Sequence, residues 1–161
     1  MKMRVILDDG APLPIHAKQD DAGLDLTSRV EIELWPGSDA LVPTGVIAEI
    51  PQGYVGLLFP RSGLSGKHGI TLKNSVGVID AGYRGVIHAP LYNIGEKPYI
   101  IKRGERICQL VIVPCARVEC VEVDELSETK RGSSGFGSSG KFIENLGHQM
   151  DVYDFCEEMD A

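Results

Sequence analysis

An acid, a phenol and a guanidinium follow one another in a short glycine-rich segment, Asp80-Ala81-Gly82-Tyr83-Arg84-Gly85. The segment separates two β-prone runs, Val76 to Ile79 and Val86 to Ile87, which predicts a β-hairpin with a long tip. Glycines let the main chain approach a ligand closely. Polar side chains on a rigid β scaffold suit a small-molecule site, although an ordinary solvated hairpin tip has the same pattern.

A second group of polar residues lies in the segment Pro60 to Lys67, which reads PRSGLSGK. After the proline, Ser62 is expected to cap a short helical turn. The free N–H groups at such a cap can bind an anion, with Arg61 and Lys67 beside them. A helix cap flanked by solvated basic residues explains the pattern equally well.

Two polar residues interrupt apolar strand patterns. Leu24 and Leu26 alternate with Asp25, so the leucines should face inward and the carboxylate outward, where it is either solvated or a ligand of a metal or water. Gln109 interrupts the apolar run Ile107 to Val113, so its amide is either paired in the core or directed at a ligand.

A Gly/Ser-rich segment runs from Arg131 to Lys141 and cannot form a core. Its N–H groups could wrap a polyphosphate, with charge from Arg131 and a stacking ring from Phe136, or it could be a plain linker. Residues 135–141 match the spacing GxxxxGK, but Phe142 replaces the Ser/Thr of a P-loop and no apolar strand precedes it. A P-loop is therefore rejected.

The candidate site residues described above lie between or within short apolar runs that are separated by Gly, Pro and Asp. This pattern predicts an all-β fold. The expected strands are Met3 to Leu7, Val30 to Leu34, a hairpin of Gly45 to Ile50 with Tyr54 to Phe59, Val86 to Ile94 as the longest, Tyr99 to Ile101, Ile107 to Val113 and Val118 to Val123. We expect a β domain at 1–126, a flexible arm at 127–141 and an acidic extension at 142–161 that is a short helix or disordered.

The charge, the cysteine spacing and the length of the apolar runs limit which ligands and compartments are expected. A net charge of −7 over 161 residues argues against nucleic acid, because phosphate-backbone binding needs a basic face. The four cysteines lack CxxC spacing, which argues against zinc. No apolar run is long enough for a membrane and no signal peptide is evident, so the expected compartment is the reducing cytoplasm, with nucleus and organelles left open.

Five segments follow one another along the chain in this order: DAGLDL, PRSGL, GVIDAGYRG, RGERICQL and RGSSGFGSSG. Together they resemble the five ordered motifs of the homotrimeric dUTPases (deoxyuridine 5′-triphosphate nucleotidohydrolases), over about residues 3–140. The resemblance implies a distorted jelly-roll β-barrel with one short helix and a flexible Gly/Ser-rich arm. It also implies a homotrimer whose three active sites are shared between subunits.

The resemblance further implies hydrolysis of dUTP with Mg²⁺ to dUMP and pyrophosphate, which limits uracil in DNA and supplies dUMP for dTMP synthesis. Asp80 would be the catalytic base and Tyr83 would lie against the deoxyribose. Asp25 would hold Mg²⁺ through water. The remaining substrate-binding residues would be Arg61, Ser62, Gly63 and Gln109 for the triphosphate, Asn74, Gly77, Val78 and Ile79 for uracil, and Arg131, Phe136, Gly137, Ser138 and Ser139 from the closing arm.

The sequence is compatible with two alternatives. A dCTP deaminase shares the implied fold, although the tyrosine after Asp80 and the complete arm favour the hydrolase. A trimeric binding or signalling module could use residues 142–161 to engage a protein partner. The chain also departs from many relatives at Ser75-Val76, where they have a proline.

Overall fold

The computed structural model describes residues 1–8 and 10–134, in which every paired strand is antiparallel. The elements in chain order are β1 Arg4–Leu7, β2 Leu24–Thr27, β3 Ile32–Leu34, β4 Asp39–Pro43, β5 Val46–Glu49, β6 Tyr54–Pro60, α1 Ser62–His68, β7 Ile70–Leu72, β8 Gly77–Ile79, β9 His88–Asn93, β10 Tyr99–Ile101 and β11 Arg106–Pro114. The predicted all-β class with one short helix is confirmed.

The strands form four sheets. A four-stranded sheet has the order β2-β11-β6-β8, and a three-stranded sheet has the order β4-β9-β7. Two further sheets are the pairs β1-β5 and β3-β10. Within the described part of the chain these ladders do not join into one closed barrel, so the jelly roll is held together by packing between sheets as well as by hydrogen bonds.

The core lies where the inward-facing residues of these sheets meet. Leu58 in β6, Leu91 in β9 and Leu110 in β11 are each no more than 1% exposed. Burial of one such side chain contributes roughly 1.5–3 kcal/mol. In β9, buried and half-buried residues alternate, as expected for a strand with one face in the core. This packing holds the ends of β2, β6 and β11 in fixed positions.

Both predicted hairpins are wrong, because in each the two runs do not pair with each other. The run after the long tip does not pair with β8: Ile87 N donates to Val46 O at 2.8 Å, and Ile87 O accepts from Thr44 N at 3.0 Å. β8 pairs with β6 instead. Similarly, β5 pairs with β1, whereas β6 pairs with β11 and β8. The turn before Tyr54 does exist, but turn residues indicate where a chain reverses and not which strands then pair.

The predicted strand Val118 to Val123 is also wrong, since these residues form no strand and Val118 and Val121 are 77% and 73% exposed. The chain divides into two compact units, Met1–Glu119 and Cys120–Ala161. The described part of the second unit has a turn in which Gly132 N donates to Thr129 O at 3.1 Å. The predicted extension, 142–161, lies outside the described residues.

No helix in the described ranges is long and apolar enough to cross a membrane.

Candidate active site

The Asp25 carboxylate is held between two arginines. Arg61 Nε lies 3.1 Å from Asp25 Oδ1, and Arg106 Nη1 donates to Asp25 Oδ2 at 2.8 Å. Arg61 also donates from Nη1 to the carbonyl of Arg106 at 3.0 Å. The Asp25 side chain is 12% exposed, so the expectation of a solvated carboxylate is replaced by a largely buried, charge-paired one. Two cations around one anion leave this end of the sheet locally positive.

Three adjacent strands bring these groups together. In the four-stranded sheet Asp25 of β2 lies opposite Gln109 of β11, and Phe59 of β6 lies opposite Gln109 on the other side. β6 ends one residue before Arg61. Residues that are distant in sequence therefore meet because β11 lies between β2 and β6.

The Gln109 amide is fixed from both sides. Its Nε2 donates to Pro60 O at 3.1 Å. On the other side lies buried Gly23, where an added β-carbon would sit 2.4 Å from Gln109 Oε1 and 3.0 Å from Gln109 Cβ. A side chain at this position would therefore force Gln109 to shift. This contact explains the glycine of DAGLDL in terms of packing and directs the amide toward the neighbouring cavity.

The helix α1 begins at this cavity, but not with the predicted cap. The N-cap residue is Arg61, with extended backbone and no side-chain cap hydrogen bond, and Ser62 is the first helical residue. The prediction that Ser62 caps the helix is wrong, because the strand β6 runs one residue further than expected and moves the cap to Arg61. Ser62 and Gly63 nevertheless open onto the cavity.

We call this cavity the arginine pocket. Its volume is about 610 Å³, and its lining residues are Ala17, Lys18, Asp21, Ala22, Gly23, Asp25, Arg61, Ser62, Gly63, Arg106 and Gln109. Cationic, hydroxyl and amide groups at one mouth are suited to a polyphosphate.

The arginine pocket fits a magnesium ion that arrives with phosphates. Its carboxylates are Asp21 and Asp25, and no cluster of three or more metal-binding side chains exists in the described residues. Magnesium keeps several waters and is commonly held by one or two carboxylates together with substrate phosphates. Two carboxylates do not form a complete protein cage, and the assignment of Asp25 as a ligand of magnesium through water stays a prediction.

A second cavity surrounds Asp80. We call it the Asp80 pocket; its volume is about 300 Å³, and its lining residues are Leu41, Val78, Ile79, Asp80, Tyr83, Ile87 and His88. Asp80 is exposed, and no described residue donates a hydrogen bond to its carboxylate. Tyr83 closes a turn, with its N–H donating to Asp80 O at 3.0 Å and its hydroxyl donating to Val86 O at 3.0 Å. The carboxylate and the aromatic ring therefore project from one tight turn.

The strand β8 borders the Asp80 pocket and lies at the edge of its sheet. It pairs on one side with β6, through Gly77 to Ile79. In the described structure its other side has no strand partner, so main-chain N–H and C=O groups there can pair with a ligand. Asn74 lies close by, with its Nδ2 3.6 Å from the point where a β-carbon of Gly77 would be. The four predicted uracil-binding residues are therefore neighbours.

The two pockets are far apart in one protomer. Ile79 lies opposite Gly56, so Asp80 continues to the level of Val55, six residues along the chain from Arg61. At about 3.3 Å per strand residue, this separation is roughly 20 Å. One phosphorus atom cannot contact Asp80 and the arginine pocket of the same chain.

Cys108 takes no part in this chemistry. It is fully buried beside Asp25, and burial, with a smaller contribution from the charge of Asp25, raises the pKa of its thiol. The thiol therefore stays protonated and packs as a small apolar group. The described cysteines, including Cys115 and Cys120, are free.

The residues predicted on the arm are only partly described. Arg131 is exposed and donates from Nε to Ser134 O at 3.1 Å within its own turn. The predictions for Phe136, Gly137, Ser138 and Ser139 fall outside the described residues.

Sequence reasoning missed Arg106 and His88. Arg106 is three positions from Gln109, which in a regular strand would place the two side chains on opposite faces. A shift of register between Arg106 and Cys108 brings both to the arginine pocket. His88 lines the Asp80 pocket with Nδ1 2.9 Å from Val86 O, and its position in a strand that otherwise reads as core carried no signal.

Comparison with known proteins identifies one family. The family model described as dUTPase matches residues 9–140. The chain is 46% identical to the deoxyuridine 5′-triphosphate nucleotidohydrolase of Rhizobium etli (strain CIAT 652), over 86% of this chain and 91% of that protein. It is 48% identical to the enzyme of the same name from Gloeothece citriformis, over 87% of this chain and 97% of that protein.

Solved structures agree with the sequence comparison. The dUTPase of Staphylococcus bacteriophage 80alpha with dUPNHPP superimposes with a TM-score of 0.82 at 36% identity, over 87% of this chain and 99% of that one. A mutant dUTPase from phage phi11 of S. aureus, described with a structural Mg(II) ion, has a TM-score of 0.72 at 31% identity, over 78% and 98%.

Proposed function

The chain belongs to the homotrimeric dUTPase family and is a dUTP hydrolase, and we propose that it releases pyrophosphate by water attack on the α-phosphate. The observation that carries the mechanism is the separation of the two pockets. One holds an exposed carboxylate and a phenol, and the other holds cations and an amide about 20 Å away in the same protomer. In a trimer, the Asp80 pocket of one subunit faces the arginine pocket of another, which forms three shared sites.

In this mechanism Asp80 is the general base. Its exposed carboxylate has no internal partner in the described residues, so it is available to accept a proton from the attacking water. The water oxygen bonds to the α-phosphorus as the bond from that phosphorus to the bridging oxygen breaks. The bridging oxygen leaves with pyrophosphate, and the proton stays on Asp80 until solvent removes it.

The arginine pocket binds the triphosphate. Arg61 supplies charge, Gln109 donates from its amide, and Ser62 and Gly63 border the phosphates at the start of α1. These groups stabilise the negative charge that builds on the leaving pyrophosphate. Because Asp25 fixes Arg61 and Arg106 before the substrate arrives, little reorganisation is needed at the moment of reaction.

Asp25 would hold magnesium through water at the same pocket. When bound, the metal neutralises phosphate charge and fixes the triphosphate conformation. The carboxylate of Asp25 is oriented for this role by the same arginines that face the phosphates.

The Asp80 pocket selects the nucleoside. The free edge of β8, from Gly77 through Val78 to Ile79, pairs with the uracil edge, and Asn74 adds a side-chain contact. A donor and acceptor pattern fixed in the main chain disfavours cytosine, whose amine would leave a donor facing a donor. The ring of Tyr83, anchored through its hydroxyl to Val86 O, lies against the deoxyribose and leaves no space for a 2′-hydroxyl.

The arm completes the site in this proposal. Arg131 reaches the γ-phosphate, Phe136 stacks on uracil, and Gly137, Ser138 and Ser139 close over the phosphates. The three free cysteines of the described chain fit a reducing compartment such as the cytoplasm. Residues 142–161 remain a candidate docking element for a protein partner.

The test is pyrophosphate release from dUTP, dTTP, dCTP and UTP, with magnesium and with EDTA. We expect turnover of dUTP alone, its loss in EDTA, and a fall in kcat of at least about a thousandfold in D80N with nucleotide binding retained. Ammonia release from dCTP would identify a deaminase, and equal turnover of all four nucleotides would contradict the assigned nucleoside pocket.

A further inference from the structure

Arg84 holds the carbonyl groups of the turn that carries Asp80 and Tyr83. Its Nη1 donates to Ala81 O at 2.7 Å and to Tyr83 O at 2.8 Å. These carbonyls lie on the two sides of Gly82, where a β-carbon would meet nothing within 4 Å. One nitrogen therefore ties together a turn whose tip is otherwise open to solvent.

Glu49 holds the same guanidinium from the scaffold. Its Oε1 lies 3.4 Å from Arg84 Nη2 and accepts from Arg4 Nη2 at 2.7 Å. Glu49 ends β5, between the buried residues Ala48 and Ile50. The hydrogen bond from Arg4, together with the charges of Arg4 and Arg84, lowers the pKa of Glu49. An ionised carboxylate on a fixed strand thus faces Arg84 at neutral pH.

From this geometry we infer that Arg84, oriented by Glu49, is a positioning residue that sets the Asp80 and Tyr83 side chains for catalysis and for sugar discrimination. The inference rests on the proposed function. The turn has an internal bond from Tyr83 N to Asp80 O at 3.0 Å, but this bond fixes only its ends. The Arg84 contacts fix one carbonyl inside the turn, that of Ala81, and the carbonyl of Tyr83 at its end, and through them the direction of both side chains.

Arginine is suited to this role because its planar fork can bind two carbonyls and a carboxylate at once. Lysine keeps the charge but presents a single nitrogen. Arg84 and Glu49 are 51% and 34% exposed, so the pair is screened by water and its main effect should be on geometry rather than on the stability of the fold.

The test compares R84Q, R84K and E49Q with R4Q as the matched control. R4Q removes the other cation from Glu49 and leaves the contacts of Arg84 in place. For each protein we measure kcat and KM for dUTP and UTP, and amide hydrogen exchange over residues 80–86. Circular dichroism and size-exclusion chromatography show that each variant is a folded trimer.

In R84Q we expect kcat for dUTP to fall at least tenfold, the preference for dUTP over UTP to fall at least tenfold, and exchange in 80–86 to quicken. R84K should recover part of the loss, E49Q should show a smaller change in the same direction, and R4Q should match the wild type. A purely structural salt bridge would not change the ratio of dUTP to UTP turnover.

Wild-type discrimination with unchanged exchange in a folded R84Q trimer would overturn the inference. If R84Q does not fold, R84K and E49Q decide in the same way, since each keeps a polar side chain in place. A wild-type protein that does not hydrolyse dUTP would instead overturn the proposed function, so the two failures are distinguishable.

Discussion

Gly23 and Gln109 are packed so closely that a β-carbon on Gly23 would lie 2.4 Å from Gln109 Oε1 and 3.0 Å from Gln109 Cβ. Both residues line the arginine pocket, and Gln109 also donates to Pro60 O at 3.1 Å. The glycine therefore sets the direction of an amide that we assign to the triphosphate. Gly23 thus contributes to the binding site through its effect on the orientation of Gln109.

The first prediction is that G23A moves the Gln109 amide. The added methyl meets both the end and the base of that side chain, so rotation of the amide alone does not remove the clash. We expect kcat/KM for dUTP to fall at least about tenfold and stability to fall by about 1–3 kcal/mol. Steady-state kinetics and urea unfolding measure the two effects.

G66A is the matched control. Gly66 lies within α1, and a β-carbon there would meet nothing within 4 Å. Alanine in a helix is favoured over glycine by about 0.5–1 kcal/mol, so G66A should be slightly more stable with unchanged kinetics. Normal kinetics in G23A would show that Gln109 has no fixed orientation to lose.

The second prediction concerns Ser75, the one described non-glycine residue with positive φ, at 62°. This conformation costs a side-chain-bearing residue about 1–2 kcal/mol, part of which glycine offsets through its larger loss of entropy on folding. S75G should therefore raise the free energy of unfolding by about 0.5–1 kcal/mol, measured in urea at fixed trimer concentration.

S75P tests the same backbone in the opposite direction. Proline requires φ near −65°, and it would remove the bond from Ser75 N to Leu72 O, which is 3.0 Å long. We expect a loss of about 3 kcal/mol. A stable S75P would show that this turn is adaptable.

The third prediction is a loss of stability at alkaline pH through Tyr99. Burial, followed by the hydrogen bond to Glu105 and the charge of Glu105, raises its pKa from 10.0 to about 12. The hydroxyl donates to Glu105 Oε1 at 2.6 Å. Because the folded pKa is raised, this contribution is complete below pH 10 and is lost as the pH rises toward about 12.

The measurement is the free energy of unfolding of wild type and Y99F across this pH range. Other tyrosines and lysines also titrate there, so the difference between the two proteins isolates Tyr99. We expect the difference to shrink as the pH rises from about 10 to about 12. A constant difference would mean that Tyr99 has the same pKa in the folded and unfolded states.

The sequence predicted strand positions better than strand partners. The predicted run Tyr99 to Ile101 coincides with β10, because its apolar residues are bounded by Pro98 and by a turn at Gly104. The predicted run Ile107 to Val113 lies within β11. The prediction that Val86 to Ile94 is the longest strand is wrong, since β9 has 6 residues and β11 has 9. The alternation of apolar and polar residues and the presence of turn residues are local properties, so both can be recognised in the sequence.

Pairing is not local. Val46 to Glu49 and Tyr54 to Pro60 are separated by one turn, yet they belong to different sheets. Contacts with β1 and with β11 determine this outcome, and these strands are distant in the sequence. The Val118 to Val123 segment shows the converse, since its alternation predicts a strand that the described chain does not form. Alternation indicates that a strand is possible and does not supply its partner.

The sequence indicated which polar residues lie together, but not how the two groups are arranged. Asp25, Arg61 and Gln109 do meet at one pocket, and Asp80 and Tyr83 do share one turn. Motif order alone could not indicate that the two sets are far apart in one chain. That separation depends on the antiparallel register of β8 against β6, which directs Asp80 away from Arg61.

The fourth prediction is that two inactive variants restore activity when their subunits are mixed. D80N damages the Asp80 pocket, and R61Q damages the arginine pocket. If each site takes one pocket from each of two subunits, an R61Q subunit can supply Asp80 to a D80N subunit that supplies Arg61. Random equal mixing should regenerate about a quarter of the sites, because each of the two subunits has an even chance of being the required variant.

Mixing is done by joint refolding, or by exchange at low protein concentration, followed by dUTP turnover. The control mixes each variant with itself, and should stay inactive. The double variant D80N/R61Q mixed with wild type supplies the opposite check, since a shared site predicts about a quarter of full activity there as well, whereas sites within single subunits predict about half. Absence of recovery in the first mixture, with about half activity in the second, would place both pockets of each site in the same subunit.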